Sequence, residues 1–173
     1  VNFDVWRFVP NDGNLLSVLQ KFAENGNNAV MMRLGTMYAR GAGVTRDMAE
    51  AVRWFRRASD AGNTAAMTEL GLLLIDGQGV EKNVDEGLRF LRQAADGGNL
   101  YAMWRYGGLL LDGKHVTKDP AQAAQMFQRA AEAGYASAMV DLAVMHASGN
   151  GIPRNYSEAV RWYERAINLN NAA

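Results

Sequence analysis

Apolar positions along the chain fall at helical spacing, in blocks that return every 36 residues. Val30, Leu34 and Tyr38 lie one turn apart, as do Ala66, Leu70 and Leu74 one period later, which predicts a buried face on one helix per period, helix A. Helix A is expected to end at Gly41, Gly77, Gly113 and Gly149, since a C-terminal cap needs a positive φ that glycine adopts at little cost. A loop with a β-branched anchor follows, at Val44, Val80, Val116 and Ile152. Next come Asp47, Asn83, Asp119 and Asn155, each with Glu50, Glu86, Gln122 or Glu158 three residues on. This spacing predicts capping boxes worth about 1 kcal/mol each, and Pro120 suits a first helical position that needs no amide donor. A second helix, helix B, then carries Ala51, Trp54, Phe55 and Ala58, a pattern repeated at Ala123, Met126, Phe127 and Ala130 and at Ala159, Trp162, Tyr163 and Ala166.

The register is held by more than hydrophobicity. Gly26, Gly62, Gly98 and Gly134 are 36 residues apart, and so are Met31, Met67, Met103 and Met139. Four repeats follow, at 26–61, 62–97, 98–133 and 134–169, with a tail at 170–173. Such units cannot bury a face alone, and at least about three must stack to share a core. The expected fold is all-α, a right-handed α-solenoid (superhelix) of antiparallel helix pairs in one domain. Shifting the frame back places Asn11 on the cap series and Leu15, Leu16, Leu19 and Phe22 on a preceding helix B. Residues 1–25 are therefore read as an N-terminal capping segment plus that helix, with Phe3, Val5, Trp6 and Phe8 covering its open face and Phe8 in the frame of Val44. A start at Val1 without a leader pattern suggests a processed product or a segment of a larger protein.

Composition narrows the function. With 49% apolar and 21% charged residues the chain is no disordered tail. Eighteen basic against eighteen acidic residues give no net charge, so the electrostatic term behind nucleic-acid affinity is missing and no nucleic-acid partner is expected. The neutrality is not local: repeat 26–61 carries six Arg against three acids, +3, and repeat 62–97 carries three bases against six acids, −3. Exposed ion pairs between repeats are the simplest use of that step. The chain has no cysteine, which excludes disulfides, thiolate metal sites and a cysteine nucleophile. No apolar run approaches the roughly 18 residues of a membrane span, so no membrane insertion is expected.

The string Leu34-Gly35, Tyr38, Gly41, Gly43-Val44, Asp47, Ala51, Trp54, Ala58, Gly62 resembles the consensus of the Sel-one-like repeat family, relatives of the tetratricopeptide repeats, over residues 11–169. Repeat three departs most, with Tyr106 for Leu, His115 for the second loop glycine and Met126 for Trp. The resemblance implies a scaffold or adaptor for protein complexes, in bacteria often in envelope biology; periplasm or cell envelope is the expected location, with cytoplasm as the alternative.

The same resemblance places helix A on the concave face. Its positions pointing away from the core include Met32, Thr36 and Arg40; Thr68, Leu72 and Asp76; Tyr101, Trp104 and Asp112; and Val140 and Val144. These form the expected groove for a protein or peptide, with Trp104 and Tyr101 as its anchors, because such rings dominate interface energetics. A carbohydrate or cell-wall-fragment binder or hydrolase, with the rings stacking on sugars, is the competing class, and self-association through the solenoid ends is a further one. The two histidines, His115 and His146, occupy unrelated repeat positions and have no zinc spacing, and the Gly41-Ala42-Gly43 turn follows a helix instead of a strand. No catalytic, cofactor-binding or metal-binding residues are therefore assigned, and no cofactor is expected.

Overall fold

The computed structural model describes residues 13–171, of which residues 13, 14, 170 and 171 are described in their backbone only. Helices follow one another as α1 (Gly13–Glu24), α2 (Asn28–Arg40), α3 (Met48–Asp60), α4 (Thr64–Asp76), α5 (Val84–Asp96), α6 (Leu100–Asp112), α7 (Pro120–Glu132), α8 (Ala136–Ser148) and α9 (Tyr156–Asn171). There is no strand among the described residues. The even-numbered helices from α2 to α8 are the A helices, each 13 residues long. The expected cap on Asn11 and the covering segment with Phe3, Val5, Trp6 and Phe8 lie outside the described residues.

Each helix A ends as its glycine predicts: Gly41, Gly77, Gly113 and Gly149 sit in the left-handed region at φ of 71° to 76° and donate their amides back into the last turn. Helix B starts as expected in one half only. Asp47, Asn83, Asp119 and Asn155 each accept the amide three residues on, at 2.9–3.1 Å. Their own amides do not close a reciprocal box. They donate instead to the helix A carbonyls of Tyr38, Leu74, Leu110 and His146, nine residues upstream, at 2.8–3.0 Å. One residue thus caps helix B and ties it to helix A, and the acidic side chain at the third position pairs elsewhere: Glu86 accepts from Arg56 at 2.8 Å and from the Asn83 side-chain amide at 3.3 Å, and Glu50 accepts from Arg53 at 3.1 Å.

The chain divides into two compact units, up to Phe90 and from Leu91, where one domain was expected. In a stack of hairpins contacts are local in sequence, so no single globular core gathers the whole chain. In the first unit α2 and α3 form an antiparallel hairpin, tied at Tyr38 and Asp47 and crossing at Gly35 and Phe55. A methyl group on Gly35 would sit 2.5 Å from the Phe55 ring, so glycine there lets the ring seat against the helix A backbone. Leu34, Phe55, Leu70 and Leu74 are the centre of this core, and Leu19 of α1 joins it. Phe22, in the frame of the buried Ala58, is 55% exposed. The +3 and −3 repeats are joined within this unit by the Arg56–Glu86 pair, which is partly exposed and worth about 0–1 kcal/mol.

The second unit repeats the plan. Gly107 receives Phe127 as Gly35 receives Phe55, and Leu110, Phe127, Met139, Leu142 and Met145 are all buried. At His115, where repeat three lacks the second loop glycine, the loop takes a different path. Gly43, Gly79 and Gly151 have φ of 71° to 79°, whereas no non-glycine residue in the described chain has a positive φ.

Candidate protein-binding site

In the second unit, side chains from α6, from the middle of α8 and from the residue just before α8 converge. The indole N–H of Trp104 donates to Asp141 Oδ2 at 2.6 Å, which fixes the ring across the two A helices. Tyr101, one turn earlier on α6, stacks obliquely on Trp104, with centroids 5.8 Å apart and planes at 30°. Tyr135, just before α8, approaches the same indole at 5.9 Å and 48°. Arg105 donates to the Tyr101 hydroxyl at 2.9 Å and lies 5.7 Å from that ring's centre. Beside this cluster is a surface depression of about 180 Å³ lined by Trp104, Arg105, Gly108, Leu109, Asp112 and Asp141. At Gly108 a methyl group would meet nothing within 4 Å, so the missing side chain leaves this wall open.

Tyr135 stands out against the other repeats. Asn27, Asn63 and Asn99 cap α2, α4 and α6, each accepting the amide three residues on at 2.9–3.1 Å. Tyr135 holds the same place, with the same extended backbone at φ −83° and ψ 104°, and makes no side-chain cap. An Asn cap is worth about 1 kcal/mol over a residue that cannot cap, so this repeat gives up helix stability and gains a ring against Trp104. Burial pushes the Tyr135 phenol above its ordinary pKa, nearby Tyr101 adds to the rise, and a hydrogen bond with the Ser137 side chain and the charge of Arg105 pull the other way without prevailing.

The structure brings together only part of the expected groove. Trp104 and Asp112 line the depression, Tyr101 supports it, and Val140 and Val144 on α8 are 41% and 49% exposed. In the first unit Met32 packs half-buried against the core, and the Thr36 hydroxyl donates to the Met32 carbonyl at 3.0 Å. Leu72 is half-buried, while Arg40 and Asp76 are exposed at the ends of their helices. Thr68 does not belong to the groove. It is 1% exposed, and its hydroxyl donates to the Thr64 carbonyl at 2.8 Å, which allows a polar residue to be buried on this helix.

Three contributors went unassigned in the sequence: Asp141, Arg105 and Tyr135. The repeat frame carries a signal for each. The series Asn27, Asn63, Asn99, Tyr135 breaks at Tyr135, and Arg33, Glu69, Arg105, Asp141 places a charge at the same frame position in every repeat. Among the described residues no three acidic or histidine side chains are grouped to hold a metal, and no helix is long and apolar enough to cross a membrane.

Helix α9 carries an apolar face. Tyr156, Val160, Tyr163 and Ile167 of α9 form one stripe, exposed by 62%, 55%, 38% and 58%. One repeat earlier the same frame positions Ala124, Phe127 and Ala131 of α7 are buried, and α7 packs on the following helix A, α8.

A family model described as Sel1 repeat matches residues 29–63, 64–99, 100–135 and 136–171. A Sel1 repeat protein from Oxalobacter formigenes is 34% identical with a TM-score of 0.81, over 88% of this chain and 61% of its own. The protein c5321, a protective antigen of uropathogenic Escherichia coli strains with an SLR fold, is 32% identical with a TM-score of 0.84, over 88% of this chain and 33% of its own. The chain thus spans under two thirds of either relative. Cysteine-rich protein B of Helicobacter pylori, 22% identical with a TM-score of 0.57, covers 72% of this chain and 89% of its own, and shares the fold. No curated protein matches the chain significantly.

Proposed function

The chain belongs to the Sel1 repeat family, and from that premise we propose that it is a non-catalytic scaffold that binds a protein or peptide on the A-helix face of its second unit. Sel1 repeat proteins are generally protein-interaction scaffolds. The observation that carries the site is the three-ring cluster of Tyr101, Trp104 and Tyr135 beside an open depression, since Tyr101 replaces the Ala or Ser, and Tyr135 the Asn, that other repeats use. Aromatic residues backed by a fixed hydrogen bond are rigid anchors and lose little entropy when a partner docks. Tyr101, Trp104, Asp112, Val140 and Val144 make the contact surface, and the first-unit positions Met32, Thr36, Arg40, Leu72 and Asp76 are secondary to it.

A random dodecapeptide library selected on the protein and on Trp104→Ala tests this reading. Peptides enriched on the former and lost on the latter, with helical content unchanged by circular dichroism, are the expected result. Retention of glycans or muropeptides instead, with no peptide enriched, would move the site to the carbohydrate-binding class.

The apolar stripe of α9 favours a second reading that can hold beside the first, self-association through this face of α9. Sedimentation velocity across a concentration range reads it directly. Tyr163→Glu together with Ile167→Glu is expected to abolish any concentration dependence, and a protein monomeric at all concentrations rejects it.

A further inference from the structure

We infer that the depression beside Trp104 is a subsite for a basic side chain, Lys or Arg, of the bound peptide. This rests on the groove reading above and names what the groove recognises. Four features of the wall favour a cation. The Trp104 indole borders the space, and an aromatic face attracts a cation through its quadrupole, Trp most strongly. Asp141 accepts the indole N–H through Oδ2 only, so Oδ1 of the same carboxylate keeps its acceptor capacity. Asp112 is exposed at the last position of α6, the negative end of the helix, where an acidic side chain is disfavoured and an added cation is stabilised by the carboxylate and the helix together. Gly108 leaves the approach open.

The one opposing charge is Arg105, which also lines the space. Its guanidinium is engaged by the Tyr101 hydroxyl on the side of the aromatic cluster, and two carboxylates outweigh it. The volume of about 180 Å³ takes one side chain and not a folded element. This matches a peptide that inserts a single residue while the flanking chain runs over Val140 and Val144.

The peptides enriched on the protein over Trp104→Ala supply the probes. A Lys or Arg at one fixed position is expected among them, and its replacement by Ala should weaken binding about tenfold or more, as for a desolvated charge contact. Asp112→Asn should weaken the same peptides about two- to fivefold, as an exposed partner does, and raising the salt should shrink that difference. Asp141→Asn, which keeps an oxygen for the indole, should cost more than Asp112→Asn. Asp112 is exposed, so its variant stays interpretable even where Trp104→Ala fails to fold. Peptides that depend on Trp104 but share no basic residue, or share an acidic one, would overturn this inference and leave the groove standing. Should no peptide discriminate the protein from Trp104→Ala, the groove itself fails and the subsite with it.

Discussion

Substituting Tyr135 by Asn and, separately, by Ala isolates the cap that repeat four lacks. The Tyr135 backbone needs no adjustment to accept one: its φ and ψ of −83° and 104° match those of Asn99 at −72° and 111° and Asn63 at −75° and 107°. Both variants lose the ring contact with Trp104, a loss of about 0.5–1.5 kcal/mol beyond area burial. Only Asn regains a hydrogen bond to the amide three residues on, which is worth about 1 kcal/mol over Ala. Tyr135→Asn is therefore expected to lie near the parent in stability and Tyr135→Ala to lie about 1 kcal/mol below Tyr135→Asn.

The internal repeats provide the calibration. Asn99→Ala removes the same cap from α6 with no ring involved, so its loss should equal the Asn-to-Ala difference at 135. For a chain of this length about 1 kcal/mol corresponds to some 2–4 °C in melting temperature, readable by circular dichroism or calorimetry. Peptide binding should fall in both 135 variants alike, because the ring is missing from both. If Tyr135→Asn melts no higher than Tyr135→Ala, the idea that this repeat exchanged a cap for a binding ring is wrong.

Adjacent glycines on α6 should respond in opposite directions to alanine. Gly107→Ala places a methyl 2.7 Å from the buried Phe127 ring, and overpacking of about 1–3 kcal/mol outweighs the helix gain; Gly108→Ala meets no atom within 4 Å and should stabilise by about 0.5–1 kcal/mol, both read from urea midpoints. The raised Tyr135 phenol carries a pH signature. Its neutral form is favoured by folding, so the contribution is complete below the ordinary tyrosine value of 10.0 and is lost as pH rises above it through the folded value. Tyr135→Phe should flatten the stability profile above that pH, and absorbance titration at the phenolate band should lose a tyrosine that titrates above 10.0; an unchanged profile would reject the assignment.

What the sequence makes legible and what it leaves hidden divide along a physical line. Caps, loop glycines and buried faces recur because every repeat needs them, so their period exposes them: the αL glycines and the acceptors at Asp47, Asn83, Asp119 and Asn155 all stand where the spacing predicts. A reciprocal capping box was not to be had from the spacing, because nothing in it tells that the amide of Asp47 is already taken by the Tyr38 carbonyl. Nor does the spacing tell that Thr68 is buried while Trp104, in the same frame position, borders a depression, since burial depends on neighbours outside the helix. Function is written in the opposite way, by departure from the period. Tyr101 stands for Ala or Ser, Tyr135 for Asn and Gly108 for Thr, Leu or Val, and all three flank one indole or its depression. Departures scattered at random along four repeats would not converge on one side chain. A repeat protein therefore carries its own control, and the positions where one unit abandons a stabilising residue that its siblings keep are the first places to look for the partner.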